Sequence, residues 1–533
     1  MPKRVVLFQP SCYQAGTAGL PLTPLALLHL AAAMDQAGHE SIIIDADTDP
    51  NYAARLADEA ARADAVGITT MSGHQLANAI ADATRLRAAC PTVPLIWGGW
   101  HPSMEPEQTA ADPLVDLVVR GPGEQTLAEV LAGTPADWPN IAGLTWRAAD
   151  GKIRSTADRL FAGLDPDRQL PWPKLNMAAY GGRPIAGDDH GENFSVAAGA
   201  PFMYISSRGC AYRCRFCQVG QVYKRKWHGI PADKVVDELA ELNARYGIAV
   251  FSFVDPEFFL NIGRVRAIVD GILRRGLKIF WKAQVRYEHI VKLGEEWMKR
   301  AHQSGCRQLE IGAETGSPEM VQRIAKDADP AVATEAARIC RRAGVIAQFN
   351  LIFGWPFEQP RHVRENFQFA ARLKQANPEC LLPLYFLVPL PRTEIMADCV
   401  ARGYQEPKTL REYAGRIAPF GEPTAPWIAD KPGFKDLMYR VIVFYLPLAF
   451  PGEVTRGTLK HVRSRMRNWP DLLWLWPAHL LARLRVALGF YSLPIEWRLF
   501  NWIARLKRPA ASAARADKPA ATHQPLKLRV TQH

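Results

Sequence analysis

Cys210-Ala-Tyr-Arg-Cys214-Arg-Phe-Cys217 places three thiols at C-x₃-C-x₂-C spacing on one short stretch. Three thiolates can ligate three irons of one [4Fe–4S] cluster and leave the fourth open, whereas four-cysteine sets close every iron. Such a set points to a cluster that binds a substrate as well as carrying electrons. The competing chemistry is structural zinc, or three core cysteines. Zinc normally takes four ligands, as C-x₂₋₄-C pairs or with histidines at short spacing. His228, eleven residues beyond Cys217, has no partner in such a pattern.

The triplet, with Phe216 just before its last cysteine, resembles the radical S-adenosylmethionine (SAM) superfamily. That resemblance implies that Cys210, Cys214 and Cys217 hold the cluster and that SAM chelates the open iron through its amino and carboxylate groups. The reduced cluster would then cleave SAM to a 5′-deoxyadenosyl radical. Phe216 would line the adenine site through its backbone. The likeness continues in Phe253-Val-Asp255-Pro-Glu257, in Glu310-Ile-Gly-Ala-Glu314-Thr-Gly-Ser317, in Phe349-Asn-Leu-Ile-Phe-Gly354-Trp-Pro-Phe-Glu358 and in Val388-Pro-Leu-Pro-Arg-Thr-Glu394. A zwitterionic amino acid group and a ribose need donors and acceptors from several strands. Asp255, Glu257, Gln284, Arg286, Glu314 and Ser317 are therefore candidates for SAM or substrate contacts, and each equally suits a surface ion pair. Gly354-Trp-Pro also reads as a plain tight turn.

Strands and helices must carry these residues. Expected strands at 250–254, 280–284, 308–311, 347–352 and 384–388 alternate with helices at 231–246, 262–275, 295–304, 331–343 and 361–375. Alternation over about 190 residues fits a partial (β/α) barrel, whose sites form at the C-terminal strand ends. The first 132 residues alternate in the same way, with apolar runs at 5–8, 41–44, 65–68, 94–97 and 115–119. They predict a doubly wound parallel sheet of Rossmann-like α/β class, with ligands beyond the carboxyl ends of its strands.

The segments at those ends hold Thr69, Ser72, Gly98, Gly99, Gly121 and Glu124. In order and spacing they resemble the cobalamin-binding domain that precedes the radical domain in one large group of radical SAM enzymes, which implies that these residues contact cobalamin. The alternative is a flavodoxin-like domain without a cofactor, since a fold does not by itself imply a ligand. Many cobalamin proteins carry D-x-H-x-x-G after the first strand, the histidine ligating cobalt. Here that place reads Gln9-Pro-Ser-Cys-Tyr-Gln-Ala-Gly16, without histidine. Asp188-Asp-His190 begins the motif but follows no strand. His74 and His101 lie on plausible cofactor loops.

The chain of 533 residues predicts about three domains at roughly 100–200 residues each. The expected order is a cobalamin-binding-like domain (1–132), a Pro- and Gly-rich connector (133–200), a radical SAM core (201–400), a helical C-terminal region (401–508) and a disordered tail (509–533). Nine cysteines, an odd number with no secretory signal before them, suggest a reducing cytoplasm. Cys12, Cys90, Cys306, Cys340, Cys380 and Cys399 read as ordinary thiols.

The formal charge of +12 is local: residues 431–508 hold 14 Lys/Arg against 4 Asp/Glu, so nucleic acid is not an expected partner. That region also carries Trp469, Trp474, Trp476, Trp497 and Trp502. Its longest uncharged run is too short for a spanning helix of about 20 apolar residues. It is expected either to cap the barrel or to lie in the membrane interface, making the protein cytoplasmic with possible peripheral contact at the inner membrane face.

Taken with both resemblances, the first functional expectation is a cobalamin-dependent radical SAM C-methyltransferase acting on an unactivated carbon of a small or lipid-like metabolite. An external electron donor of flavodoxin or ferredoxin type would serve it. The alternatives are a cobalamin-dependent cyclase or rearrangement enzyme, a tRNA methylthiotransferase, or a non-catalytic cobalamin or iron–sulfur sensor.

Overall fold

The computed structural model describes residues 2–14, 19, 21–161, 163–165, 167–182, 201–416, 425–429, 433–451, 470–491 and 493–499. Gly16, Asp188, His190, Trp469, Trp502, the side chains of Trp474 and Trp476, and the expected tail over 509–533 lie outside the described residues.

Short aliphatic runs become strands because β-branched and aliphatic side chains suit a pleated surface buried on both faces. β1 (Arg4–Gln9), β2 (Glu40–Asp45), β3 (Ala65–Thr69), β4 (Leu95–Gly98) and β5 (Leu117–Val119) form a parallel sheet in the order β2-β1-β3-β4-β5. Helices Leu25–Gln36, Tyr52–Ala60, His74–Ala89 and Glu124–Ala132 alternate with these strands. The order reverses beside β1, so the carboxyl ends of β1 and β3 open a crevice between them.

The expected connector is not structureless. β6 (Leu144–Arg147) extends the first sheet antiparallel to β5, and β7 (Ile153–Ser155) follows antiparallel to β6, because Leu144 and Trp146 bury while Thr145 and Ser155 exchange a hydroxyl hydrogen bond of 2.8 Å. Runs of three or four residues are too brief to show the alternation in sequence.

β8 (Phe202–Tyr204) begins a second sheet. β9 (Ser207–Gly209) and β10 (Trp227–Gly229) pair antiparallel on either side of the cysteine loop. β11 (Val250–Phe253), β12 (Phe280–Val285), β13 (Cys306–Glu314), β14 (Ile346–Phe353) and β15 (Leu384–Phe386) complete an all-parallel half-barrel in the order β15-β14-β13-β12-β11-β8. Amphipathic helices cover one face, as Ala232–Tyr246 does with Val235, Val236, Leu239 and Leu242 buried. Tyr204 points to that side, its hydroxyl donating to Glu238 at 2.7 Å. Strand alternation therefore turns Met203, Ser252 and Lys282 toward the lumen.

The helical region expected from 401 is not wholly separate. Leu410, Tyr413 and Ala414 complete the core of the first sheet beside Leu76, Ala79 and Ala83, and Arg411 pairs with Asp112 at 2.9 Å. An amphipathic helix of six residues cannot hold its shape alone and takes it from this packing.

From Asp436 onward a second unit forms from helical turns at 440–449 and helix Pro470–Leu488. No helix among the described residues is long and apolar enough to cross a membrane.

Tyr413→Ala should destabilise the N-terminal domain by about 3–5 kcal/mol, the range for large buried aromatics, because the ring packs edge-on against His101 with centroids 5.0 Å apart. Urea unfolding checks this, and an unchanged midpoint would contradict it.

Candidate active site

The cysteine loop starts at Gly209, whose φ of +79° and pairing with Trp227 leave no room for a side chain: a Cβ would lie 2.0 Å from the Lys226 carbonyl oxygen. Just before it, the fully buried Asp255 accepts from Ser206 N–H at 3.1 Å, from Ser206 Oγ at 2.8 Å and from Ser207 Oγ. Arg264 donates to the Ser206 and Ile230 carbonyls at 2.7 and 2.6 Å. Asp255, expected as a SAM or substrate contact, thus spends its lone pairs on the strand that carries the loop. Farther along, Arg215 N–H donates to the Ile324 carbonyl and Ile395 N–H to that of Arg215, which seats the loop on its neighbours.

All three thiols are half-buried, and burial raises their pKa, that of Cys217 to about 11. Against this, the neighbouring Tyr212 N–H pulls the Cys210 pKa down, the Arg286 guanidinium that of Cys214 and the Val219 N–H that of Cys217. Donors aimed at sulfur favour thiolate. Among the described residues no three His, Cys, Asp or Glu side chains close on a single-ion position. Three thiolates on one [4Fe–4S] cluster ligate different irons and need no such convergence, so the triplet fits a cluster.

Glu257, Arg286 and Glu314 come within electrostatic reach of these cysteines. Buried Glu257 faces His289 Nδ1 at 3.0 Å, and His289 Nε2 meets Tyr212 Oη at 3.0 Å. Arg286 stacks 3.9 Å over the Tyr212 ring and donates to the Lys326 and Asp327 carbonyls at 2.6 and 2.7 Å. Sequence reasoning missed Tyr212 and His289, although Tyr212 stands inside the quoted motif. Glu314, at φ +61°, pairs with Lys326 at 3.1 Å. Ser317 Oγ is fully buried without a partner among the described residues. Gln284 is exposed, and its backbone carbonyl accepts from Phe258 N–H at 3.0 Å. The Phe216 ring packs edge-on against Trp355 at 5.3 Å, so the Gly354-Trp-Pro turn buttresses the loop, with Gly354 N–H donating to Glu358 at 2.6 Å.

A cavity of about 390 Å³ lies between the carboxyl ends of the first sheet and the start of the half-barrel. Thr69, Gly98, Gly99, Gly121 and Glu124 line it on one side, and Met203, Ile205, Arg208, Val254 and Pro256 on the other. Gly99 has φ +95° and ψ −164°, a region that only glycine adopts readily, and a Cβ there would meet Thr69 Oγ1 and the Thr70 carbonyl at 2.8 Å. Gly121, at φ +68°, has open space where a Cβ would stand. This mostly apolar hollow with a glycine floor suits a large flat cofactor such as a corrin. Arg208 bonds Glu124 across it; burial pulls the Glu124 pKa up, but the Arg208 charge outweighs that and holds it below the ordinary range.

Ser72 is not among the lining residues and instead bonds His101 Nδ1 at 2.9 Å. His101 is buried, and burial lowers its pKa to about 4. Neither it nor His74 lines the cavity, where Gln9 ends β1, Cys12 follows it and Gln75 stands beyond β3.

Residues 14–131 match the B12 binding domain and residues 204–370 the radical SAM superfamily. An uncharacterized methyltransferase of Pyrococcus horikoshii is 29% identical over 365 residues, 67% of this chain and 74% of the relative. The anaerobic magnesium-protoporphyrin IX monomethyl ester cyclase of Cereibacter sphaeroides is 26% identical, over 69% of this chain and 59% of its own length. The fold is similar to that of TsrM, a radical SAM methyltransferase of Kitasatospora setae solved with cobalamin and a [4Fe–4S] cluster. The TM-score is 0.60 at 19% identity, over 78% of this chain and 81% of that one. With a B12 binding domain and a radical SAM domain, the cofactors are a [4Fe–4S] cluster, SAM and cobalamin.

Replacing Cys210, Cys214 and Cys217 together with alanine should abolish the cluster's absorbance and its response to SAM. Asp255→Ala, which strands buried donors, should cost about 3 kcal/mol and lower iron per chain. Full iron in the triple variant would sink the ligand assignment. Gly99→Ala should weaken cobalamin retention by about tenfold, as a backbone cost near 1.4 kcal/mol requires, with iron content unchanged. Equal cobalamin in the variant and the parent protein after gel filtration would contradict it.

Proposed function

We propose that this chain, a cobalamin-dependent radical SAM enzyme by its B12-binding and radical SAM domains, is a C-methyltransferase acting on an unactivated carbon of a small or lipid-like metabolite. The observation that supports this is the shared wall. Met203, Ile205, Val254 and Pro256 line the cavity at the first sheet's strand ends, and they come from β8 and from the segments that follow β8 and β11, next to the cysteine loop. When bound, cluster and SAM supply a radical and cobalamin supplies a transferable methyl group, while the protein supplies binding and orientation.

The chain's own residues divide that work. Apolar Met203, Ile205, Val254 and Pro256 keep water from the space between the two cofactor sites. Glu257, Arg286 and Glu314 contact SAM or orient the groups that do. Across β12, β13 and β14, Lys282 pairs with Glu310 at 2.7 Å, Gln308 with Gln348 at 2.8 Å and Gln348 with Asn350 at 2.9 Å. This ladder offers donors and acceptors to hold the polar groups of a substrate. Radical SAM enzymes need a reductant, which we take to be a flavodoxin- or ferredoxin-type protein.

The cyclase similarity favours a second reading, in which the same lumen holds a substrate that closes a ring. Methyl-deuterated SAM separates the two when added with enzyme and reductant to extracts of the producing cell. Methylation predicts a labelled metabolite, with S-adenosylhomocysteine and 5′-deoxyadenosine rising together. Substrate-dependent 5′-deoxyadenosine with neither labelled product nor S-adenosylhomocysteine would reject methylation and support ring formation.

A further inference from the structure

Nine of the thirteen large apolar side chains that stand exposed among the described residues fall between Val443 and Leu499, so the apolar surface is concentrated in the second unit. Within helix Pro470–Leu488 the inner side is occupied: Ala482 is buried, His479 Nδ1 meets the Leu448 carbonyl at 2.7 Å, and Arg485 pairs with Glu496 at 2.8 Å. Leu480, Leu484 and Leu488, spaced four residues apart, are left on the other side at 51%, 55% and 69% exposure. The chain then turns and adds Phe490, Leu493 and Ile495, the last two at 70% and 69% exposure. Arg485 holds this turn by donating to the Phe490 and Leu493 carbonyls at 3.2 and 2.9 Å.

Soluble surfaces rarely leave so many large apolar groups together without a partner. The exposed Arg483 and Arg498 lie on the same elements, and residues 431–508 carry ten more cations than anions in sequence. Two copies of such a surface would repel one another, whereas a membrane leaflet rich in anionic lipid attracts the cations and accepts the leucines. Apolar burial at the headgroup boundary and electrostatic attraction add together for interfacial helices.

We propose that this face, centred on Leu480, Leu484 and Leu488 and extended by Phe490, Leu493 and Ile495, docks the protein peripherally on an anionic lipid surface. The face lies in the plane of the interface and does not cross it, in keeping with the absence of a spanning helix among the described residues. Its occupant is independent of whether the enzyme methylates or cyclises.

The test is co-sedimentation of the full-length, cofactor-loaded protein with vesicles of phosphatidylcholine plus phosphatidylglycerol, against phosphatidylcholine alone. Sedimentation is expected with the anionic vesicles only, and added salt should weaken it because the cations act through a screened field. The double variant L484E/L488E, altered at exposed positions, should bind at least about tenfold less, since burying even a few methylenes is worth that much. Its iron and cobalamin content should match the parent protein, which separates a lost docking face from a lost fold. The proposal is overturned if full-length protein stays in the supernatant with anionic vesicles, or if L484E/L488E sediments like the parent. It is equally overturned if equilibrium ultracentrifugation shows a dimer that L484E/L488E dissociates while vesicle binding is absent.

Discussion

The buried carboxylate of Asp255 is the interaction on which the placement of both the cysteine loop and the cavity wall depends. A carboxylate removed from water is tolerated only when its oxygens are satisfied, and here Ser206 and Ser207 satisfy them from the strand segment that leads into the cysteine loop. That same segment supplies Met203, Ile205 and Arg208 to the cavity at the end of the first sheet. One polar joint therefore sets where the thiols begin and where the wall of the cavity beside the first sheet stands. Gly209, immediately after it, allows the close approach to Lys226 that turns the chain into the loop.

Around the loop, charges are balanced in pairs rather than left to act singly. Arg286 and Lys326 bring positive charge to the sulfur side, while Glu257 and Glu314 bring negative charge. Glu257 is tied through His289 to Tyr212, and Glu314 to Lys326, so each carboxylate is held by a partner. Such pairing would suit a bound iron–sulfur cluster, because the surroundings are already fixed by hydrogen bonds and would need little rearrangement.

Polar contacts tie the first domain to the half-barrel and to the segment that precedes it. Tyr180 donates to Asp45 at 2.7 Å, Lys174 reaches Asp35 at 2.7 Å, and Arg208 meets Glu124. The helix at Leu410–Gly415 adds apolar packing from far along the chain. These ties help to hold the cavity wall in place.

The sequence by itself determined the local and the chemically unambiguous. Cysteine spacing specified a cluster-binding triplet, since thiolates at C-x₃-C-x₂-C have few other uses, and the alternation of aliphatic strands with amphipathic helices specified two parallel α/β sheets. Gly98, Gly99 and Gly121 were legible as cavity residues through the resemblance to a cobalamin-binding domain, and only the structure showed that Gly99 alone of the three lacks room for a side chain. Only the tertiary structure decided the fate of the polar candidates, since a carboxylate looks the same in sequence whether it faces a ligand or a neighbouring strand. It turned Asp255 into a joint, Ser72 into a partner of buried His101, and Tyr212 and His289 into parts of the site. It also placed β6, β7 and Leu410–Gly415 in the first domain, because elements of three to six residues have too little periodicity to read alone and take their shape from packing.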